Sequence, residues 1–334
     1  MVAGVDGSMA PSHGNGQIYY GIDQYFNTTN GYSNIFAYLY GSSSHPYQIM
    51  DSNSGGASAS IISDINNGVG FSNYTAHCSS SGWADPSFTN SDISSLTNTG
   101  KYSIMIGNCC LSSKFDDNSP DCFGEQITYS AEKGAVAYLG GSNSTLWDED
   151  FYWSVGLNSL SISSANAQSH TYANTGPGTY DGIWHINGEP ESEWFITAAE
   201  MNYSGNLAVE SSTSTNKVYY WEIYHVMGDP SLMAYLSKPD PMNITYIDPI
   251  TVGITTLNVS TEPYSYVALS HNGTLLDAQY SGSNSSVTLS FPAFTSPTTA
   301  DIVVTKQNRQ PYIGTLNVMS GNTNDDAGVT NIGN

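Results

Sequence analysis

Two apolar segments of the chain end in side chains capable of nucleophilic chemistry. The first runs Gly70-Phe71-Ser72-Asn73-Tyr74-Thr75-Ala76-His77-Cys78, the second Tyr102-Ser103-Ile104-Met105-Ile106-Gly107-Asn108-Cys109-Cys110. If they are neighbouring parallel strands, their carboxyl ends bring an imidazole beside a thiol, at the edge where open α/β sheets carry their sites. A cysteine nucleophile works as the thiolate, and an adjacent imidazole lowers the thiol pKa and later protonates the leaving group. Cys110 and His77 are the candidates for these roles in a cysteine hydrolase. The plainer alternative makes Cys110 a small buried hydrophobe and His77 a strand-end histidine, and spacing alone leaves both open.

A sheet is needed to position such a pair. From residue 1 to about 238, β-like runs alternate with helix-like segments at the spacing of βαβ units. Strands are expected from Val2 to Val5, Ile35 to Tyr40, Val69 to Tyr74, Ser103 to Ile106 and Ala135 to Leu139. Helices are expected from Gln17 to Phe26, Ser58 to Ile65, Phe88 to Leu96, Cys122 to Glu132 and Glu193 to about Met201. Gly41 to Gly56 and Ser163 to Gly188 read as long loops rich in Gly and Ser. After Ser237-Lys238-Pro239-Asp240-Pro241 the texture changes to short alternating runs, and Asn272-Gly273 between two of them signals a type I′ hairpin. The expected organisation is a first domain over 1–238, a small immunoglobulin-like β-sandwich over 239–319 and a polar tail or linker over 320–334.

Composition narrows the setting. Against 29 Asp and Glu there are 7 Lys and Arg, a formal net charge of −22, so nucleic acid and anionic membrane surfaces are poor partners. Polarity comes instead from uncharged residues and 24 Tyr, which suits an extracellular protein. Asn-x-Ser/Thr sequons at Asn27, Asn73, Asn143, Asn202, Asn243, Asn258, Asn272 and Asn284 agree with that setting, although Asn73 falls inside an expected buried strand. No run of about 18 apolar residues is present to span a membrane. The start, Met1-Val2-Ala3-Gly4-Val5-Asp6, reads as a strand beginning abruptly after removed sequence.

Asn73-Tyr74-Thr75-Ala76-His77, then Trp83 and Leu96-Thr97-Asn98, resembles the catalytic-histidine segment of the gingipains, caspase-like cysteine peptidases of clan CD. Cys110, with Phe115 and Cys122-Phe123-Gly124-Glu125 beyond, is similar to that family's nucleophile segment, and the 33 positions between His77 and Cys110 agree as well. The likeness extends over Val136 to Trp147, Gly228-Asp229-Pro230-Ser231-Leu232 and the region after it, where gingipains carry an immunoglobulin-like domain. The resemblance implies an α/β fold, a caspase-like parallel-rich sheet flanked by helices, followed by an all-β sandwich. It implies a secreted endopeptidase with protein or peptide substrates, no required cofactor, and an amino-terminal fragment cleaved from the same precursor as partner.

The resemblance also assigns roles. Cys110 is the nucleophile, His77 the acid and base, and Asp6 the acid that steadies His77. The N–H groups of Cys78 and Cys110 form the oxyanion hole, although the family has glycine where Ala76 and Cys78 stand; any non-proline residue keeps the N–H. Trp147 is expected as a wall of the S1 pocket with Phe151 beside it, and Gln17 stands where arginine-specific members have a pocket Asp. An amide offers hydrogen bonds without charge, so strict arginine specificity is not expected, and uncharged, aromatic or amide side chains would suit the pocket. A free Cys110 leaves Cys78, Cys109 and Cys122 for at most one bridge, with Cys109 expected as buried packing. Structural Ca²⁺ at Asp116, Asp117 and Asp121, or along Asp148-Glu149-Asp150, is an expectation set against solvated acidic loops. The competing readings are an inactive surface protein that keeps the fold, and a transpeptidase in which an amine resolves the acyl-enzyme.

Overall fold

The structure, a computed structural model, describes residues 1–41, 44–116, 121–157, 159–160 and 170–321. The chain divides into two compact units, Met1–Lys238 and Pro239 onward. The expected tail falls, beyond Gly321, outside the described residues.

In the first unit the strands are β1 (Val2–Ala3), β2 (Ala37–Leu39), β3 (Gln48–Asp51) and β4 (Phe71–Thr75), then a small ribbon of β5 (Cys78–Ser79), β6 (Gly82–Trp83) and β7 (Phe88–Thr89), then β8 (Ser103–Asn108), β9 (Ala135–Gly141) and β10 (Tyr224–Gly228). Seven of them form one sheet in the order β10-β9-β8-β4-β1-β2-β3. All neighbours run parallel except β10, which is antiparallel to β9. β8 lies inside the sheet between β9 and β4, and every one of its residues is buried, as a strand covered on both faces must be. Ile104 and Ile106 face a core with Phe151, Trp153, Tyr180, Ile183 and Met201, from the helices Trp147–Val155, Thr179–Trp184 and Ala198–Ser211. Met105 faces the other core, with Ile61, Ile65, Phe123 and Ile127 from the helices Ala57–Asn67 and Phe123–Tyr129. Alternation along this one strand therefore feeds two helical layers.

Where the expected elements differ, the cause is local. β1 ends early because Gly4 N–H makes the last bond to β4, at Thr75 O and 3.0 Å, and Val5 N–H turns to Asp85 O at 2.9 Å. A Cβ on Gly4 would sit 2.6 Å from the Ala76 Cβ and 2.8 Å from Asp85 O, so only glycine lets these chains approach so closely. The expected loop from Gly41 to Gly56 contains the edge strand β3, four residues set among Gly, Ser and Pro that hide it. The Phe88 to Leu96 helix is instead β7 and a single turn, Asn90–Ile93, closed by the Thr89/Asp92 capping box. A capping box at Thr197 and Glu200 starts the Ala198–Ser211 helix later than expected and carries it well past Met201. Within the expected loop from Ser163 to Gly188 lies the helix Thr179–Trp184, while residues 163–169 are outside the described residues.

The second unit is all β. A three-stranded sheet containing Thr256–Ser260 and Ser286–Ser290, and a five-stranded sheet containing Tyr266–His271, Thr298–Thr305 and Tyr312–Met319, share one core. Leu257, Val259, Val287 and Leu289 come from the first, and Val267, Leu269, Ile302, Val304 and Leu316 from the second. Burial alternates residue by residue along Thr256–Ser260 and Ser286–Ser290, the mark of strands with one wet face. Asn272 and Gly273 turn the hairpin with φ of 50° and 76°, the backbone a type I′ turn requires.

Candidate active site

β4 and β8 pair in register from Phe71 opposite Ile104 to Thr75 opposite Asn108. The last backbone bond between them is Ala76 N–H to Asn108 O at 3.3 Å. His77 and Cys110 each lie two residues beyond the Thr75/Asn108 pair, so the register brings them to the same level on adjacent strand ends. Cys78 and Cys109 are joined by a disulfide, with a Cα separation of 5.3 Å. Cys109, expected as buried packing, is indeed fully buried and is also one half of this bridge. Its side chain continues the Met105 face of β8, where the end of β4 can be reached, and Cys122 is left as a buried thiol whose pKa burial pushes up to about 11.

His77 is exposed, with just over half of its side chain accessible, and its Nε2 lies 2.7 Å from Asp6 Oδ2. The other Asp6 oxygen accepts from the N–H groups of Ser8 and Met9 at 2.8 Å and from the Ser8 hydroxyl at 2.7 Å. Desolvation opposes the charge on Asp6. The Met9 N–H, the His77 ring and Ser8 outweigh it and hold the carboxyl well below the usual carboxylate range. A firmly ionised Asp6 thus fixes Nε2 as the nitrogen facing the carboxylate and leaves Nδ1 for other work. Trp147, half-buried, stands edge-on to the His77 ring at 5.7 Å.

Cys110 is a free, half-buried thiol. Its Sγ accepts the Thr145 N–H at 3.3 Å and donates to Thr145 O at 3.7 Å. Thr145 Oγ1 donates to Asp150 Oδ2 at 2.7 Å, while Asp150 Oδ1 accepts from Tyr224 OH at 2.6 Å and Tyr220 OH at 3.0 Å. Burial pushes the Asp150 carboxyl up to about 7 even with these three donors, because no charge compensates it. Sequence reasoning treated Asp150 only as one of a run of acids. The signal it offered is spacing: Trp147 and Asp150 are three residues apart on one helix, which puts them on one face.

Other expected site residues are placed differently. Gln17 is buried, and its Nε2 donates to Asn108 Oδ1 at 2.8 Å and Ser154 Oγ at 2.9 Å, in an interior cluster that also holds Asn73 and Tyr180. This amide ties together the helix at Gln17, both central strands and the Trp147–Val155 helix. Asn73 is fully buried there, closed to a glycan. Phe151 is fully buried and packs edge-on to His13 at 6.1 Å, in the core behind Trp147. Asp116 pairs with Lys114 at 2.9 Å, Asp121 accepts from Tyr129, and Asp117 is outside the described residues. The carboxylates of Asp148, Glu149 and Asp150 take three separate partners: His13, the Ser214 and Asn216 pair, and the Tyr220 and Tyr224 pair. Among the described residues no three His, Cys, Asp or Glu side chains converge as metal ligands.

The sequence profile described as Peptidase family C25 matches residues 2–235. Lys-gingipain W83 of Porphyromonas gingivalis is 34% identical over 325 residues, 95% of this chain and 17% of that protein. A solved structure described as a protease superposes with a TM-score of 0.81 at 34% identity, over 95% of this chain and 66% of the other. The crystal structure of the Arg-specific cysteine proteinase gingipain R shares the fold, with a TM-score of 0.66 at 18% identity over 80% of this chain and 57% of its own. The chain thus spans about a sixth of the length of the curated relative.

Proposed function

The chain belongs to peptidase family C25, and on that premise we propose that it is a secreted cysteine endopeptidase working through Cys110 and His77. The Cys110 thiolate attacks a peptide carbonyl, forming the C–S bond, while the N–H groups of Cys78 and Cys110 take the charge on oxygen. His77 Nδ1 gives its proton to the leaving amine as the C–N bond breaks, then takes one from the water that resolves the acyl-enzyme. Asp6 stabilises the imidazolium between these transfers. The observation that carries the reading is the Asp6–His77 contact at 2.7 Å on the strand end in register with Cys110. The Thr145 N–H adds a fixed donor to the sulfur.

Asp150 directs specificity toward lysine. Its buried carboxylate lies beyond Thr145 from the nucleophile and on the Trp147 face of the helix. A desolvated carboxylate gains most from a cation that enters with the substrate, and a relative with 34% identity carries lysine in its name. An uncharged P1 residue, suggested by Gln17, loses its support because Gln17 is committed to the interior. An exterior location is supported by the exposed sequon residues Asn143, Asn243, Asn258, Asn272 and Asn284 and by the acidic composition. Among the described residues no helix is long and apolar enough to cross a membrane. The second unit is assigned as the immunoglobulin-like sandwich, and a fragment of the same precursor as partner.

Labelling with a peptidyl acyloxymethyl ketone bearing lysine at P1 tests the reading, with Cys110→Ala as control. A covalent adduct on Cys110, absent from the control, is expected. A correctly folded protein that forms no adduct between pH 3 and 8 would overturn it.

A further inference from the structure

We propose that the Cys78–Cys109 disulfide is a positioning device for the reacting pair, holding His77 and Cys110 at working separation where the sheet no longer does. The inference rests on the assignment of Cys110 and His77 to the reaction. The bridge joins the residue after His77 to the residue before Cys110. Backbone pairing of β4 with β8 ends at Ala76 and Asn108, one residue before His77 and two before Cys110. Beyond that point the chains part: Cys78 enters β5 and pairs with Trp83 in the ribbon, while Leu111 turns away with φ of 63°, its N–H on Asn143 O at 3.1 Å. The Cα separation of 5.3 Å across the bridge is close to the spacing of neighbouring strands, about 4.8 Å. The disulfide therefore acts as a covalent rung added where hydrogen-bonded rungs have run out.

The exposed His77 ring needs such help. Its ring contacts are Asp6 and Trp147, and its carbonyl accepts from Tyr74 OH at 2.9 Å and Ala84 N–H at 3.0 Å. Tyr74 belongs to β4 itself and the others follow β1, the ribbon or the helix at Trp147; past the Ala76–Asn108 bond, the bridge ties the His77 segment to the Cys110 segment. Displacements near 1 Å cost on the order of a hundredfold in rate, so the rung acts on turnover. It also sets opposite redox demands on adjacent residues, because Cys110 works only as a thiol and Cys109 only as a half-cystine. Fully buried Cys109 leaves Cys78, half-buried, as the side from which a reductant reaches the bridge.

The test compares wild type, the double variant Cys78→Ala/Cys109→Ala and Cys110→Ala, with kcat counted per site titratable by the acyloxymethyl ketone. The double variant keeps both backbone N–H groups and is expected to lose about 10- to 100-fold in kcat, with KM changed less than about threefold. Alkylation of its Cys110 by iodoacetamide at fixed pH is expected to slow severalfold, as a sulfur held less closely to the histidine must. A bridge that only stabilises the fold would lower the melting temperature and leave both readouts unmoved. Should the double variant fail to fold, wild type titrated with dithiothreitol replaces it. Activity must then fall in step with the appearance of thiols at Cys78 and Cys109, mapped by mass spectrometry. A kcat and alkylation profile within twofold of wild type, or full activity after complete opening of the bridge, overturns the inference and leaves the Cys110 reading intact. A fully active Cys110→Ala protein overturns both.

Discussion

Two histidine–aspartate pairs flank Trp147, alike in chemistry and opposite in setting. His77 meets Asp6 at 2.7 Å with 53% of its side chain exposed, and His13 meets Asp148 at 2.8 Å with 2% exposed. Both rings present an edge relation to the indole, at 5.7 and 6.4 Å. In the first pair the acid is shielded and the base is open; in the second the base is sealed and the acid faces water. A proton-transfer group must reach solvent and substrate, whereas a packing group must not, so exposure rather than hydrogen bonding separates a reactive imidazole from a structural one.

Substitution of each histidine by alanine should break the likeness most sharply. His77→Ala is expected to lower kcat/KM by about 10²–10⁴ with little change in melting temperature, since an exposed ring contributes little packing. His13→Ala should cost roughly 1–3 kcal/mol of stability by leaving a cavity against Phe151 and Trp147, with activity per folded molecule within a few-fold of wild type. Equal losses of activity from the two would mean that the distinction by exposure is wrong. Chemical denaturation and steady-state kinetics on both variants decide it.

A third aspartate extends the comparison to specificity. Asp150→Asn is expected to reduce kcat/KM for substrates with lysine at P1 by roughly 10²-fold and for neutral P1 residues far less. Because protonation of Asp150 competes with an ammonium group, kcat/KM for lysine substrates in the wild type should climb as pH rises through about 7. Equal effects on both substrate types would remove Asp150 from the pocket. Replacing the acids of the two pairs gives a smaller contrast. Asp6→Asn should lower kcat by about tenfold or more, and Asp148→Asn, half exposed, should change stability by less than about 1 kcal/mol.

The last contrast is in stability against pH. Burial raises Asp150 and Asp181 to about 7, so the folded chain keeps protons that an unfolded chain releases near pH 4. Stability contributed by these groups is full below pH 4 and falls as pH rises to about 7, by at most roughly 1.4 kcal/mol per pH unit for each. Asp6 acts in the other direction, its stabilisation being present above its unfolded value and lost only in strong acid. Thermal melts of wild type and Asp150→Asn between pH 4 and 7 should differ in slope, the variant being flatter.

How much of this was legible depended on whether the signal was local. β4, β8 and β9 stood out as apolar runs because both faces of these strands are covered. The edge strands β3 and β10 did not, since β3 is four residues set among Gly, Ser and Pro and β10 follows directly on the helix Lys217–Ile223. Cys110 and His77 stood at the ends of two apolar runs and motif resemblance gave them roles, whereas Asp6 came from the resemblance alone; it meets His77 across 71 positions, a contact no periodicity encodes. Counting cysteines limited the bridges to one but left its partners open, because the choice depends on which side chains share a face at the ends of β4 and β8. Gln17 was misplaced into the pocket for the same reason: its neighbours Asn73, Asn108, Ser154 and Tyr180 are assembled by the packing of four segments.

The bare backbone at Gly4 makes that residue a remote adjusting screw for the acid that serves His77. A methyl group there would collide with Ala76, Tyr74 and Asp85, wedging apart the chain that leads to Asp6 and the chain that leads to His77. A protein engineer could thereby loosen the carboxylate's grip on the ring while leaving every reacting atom chemically untouched.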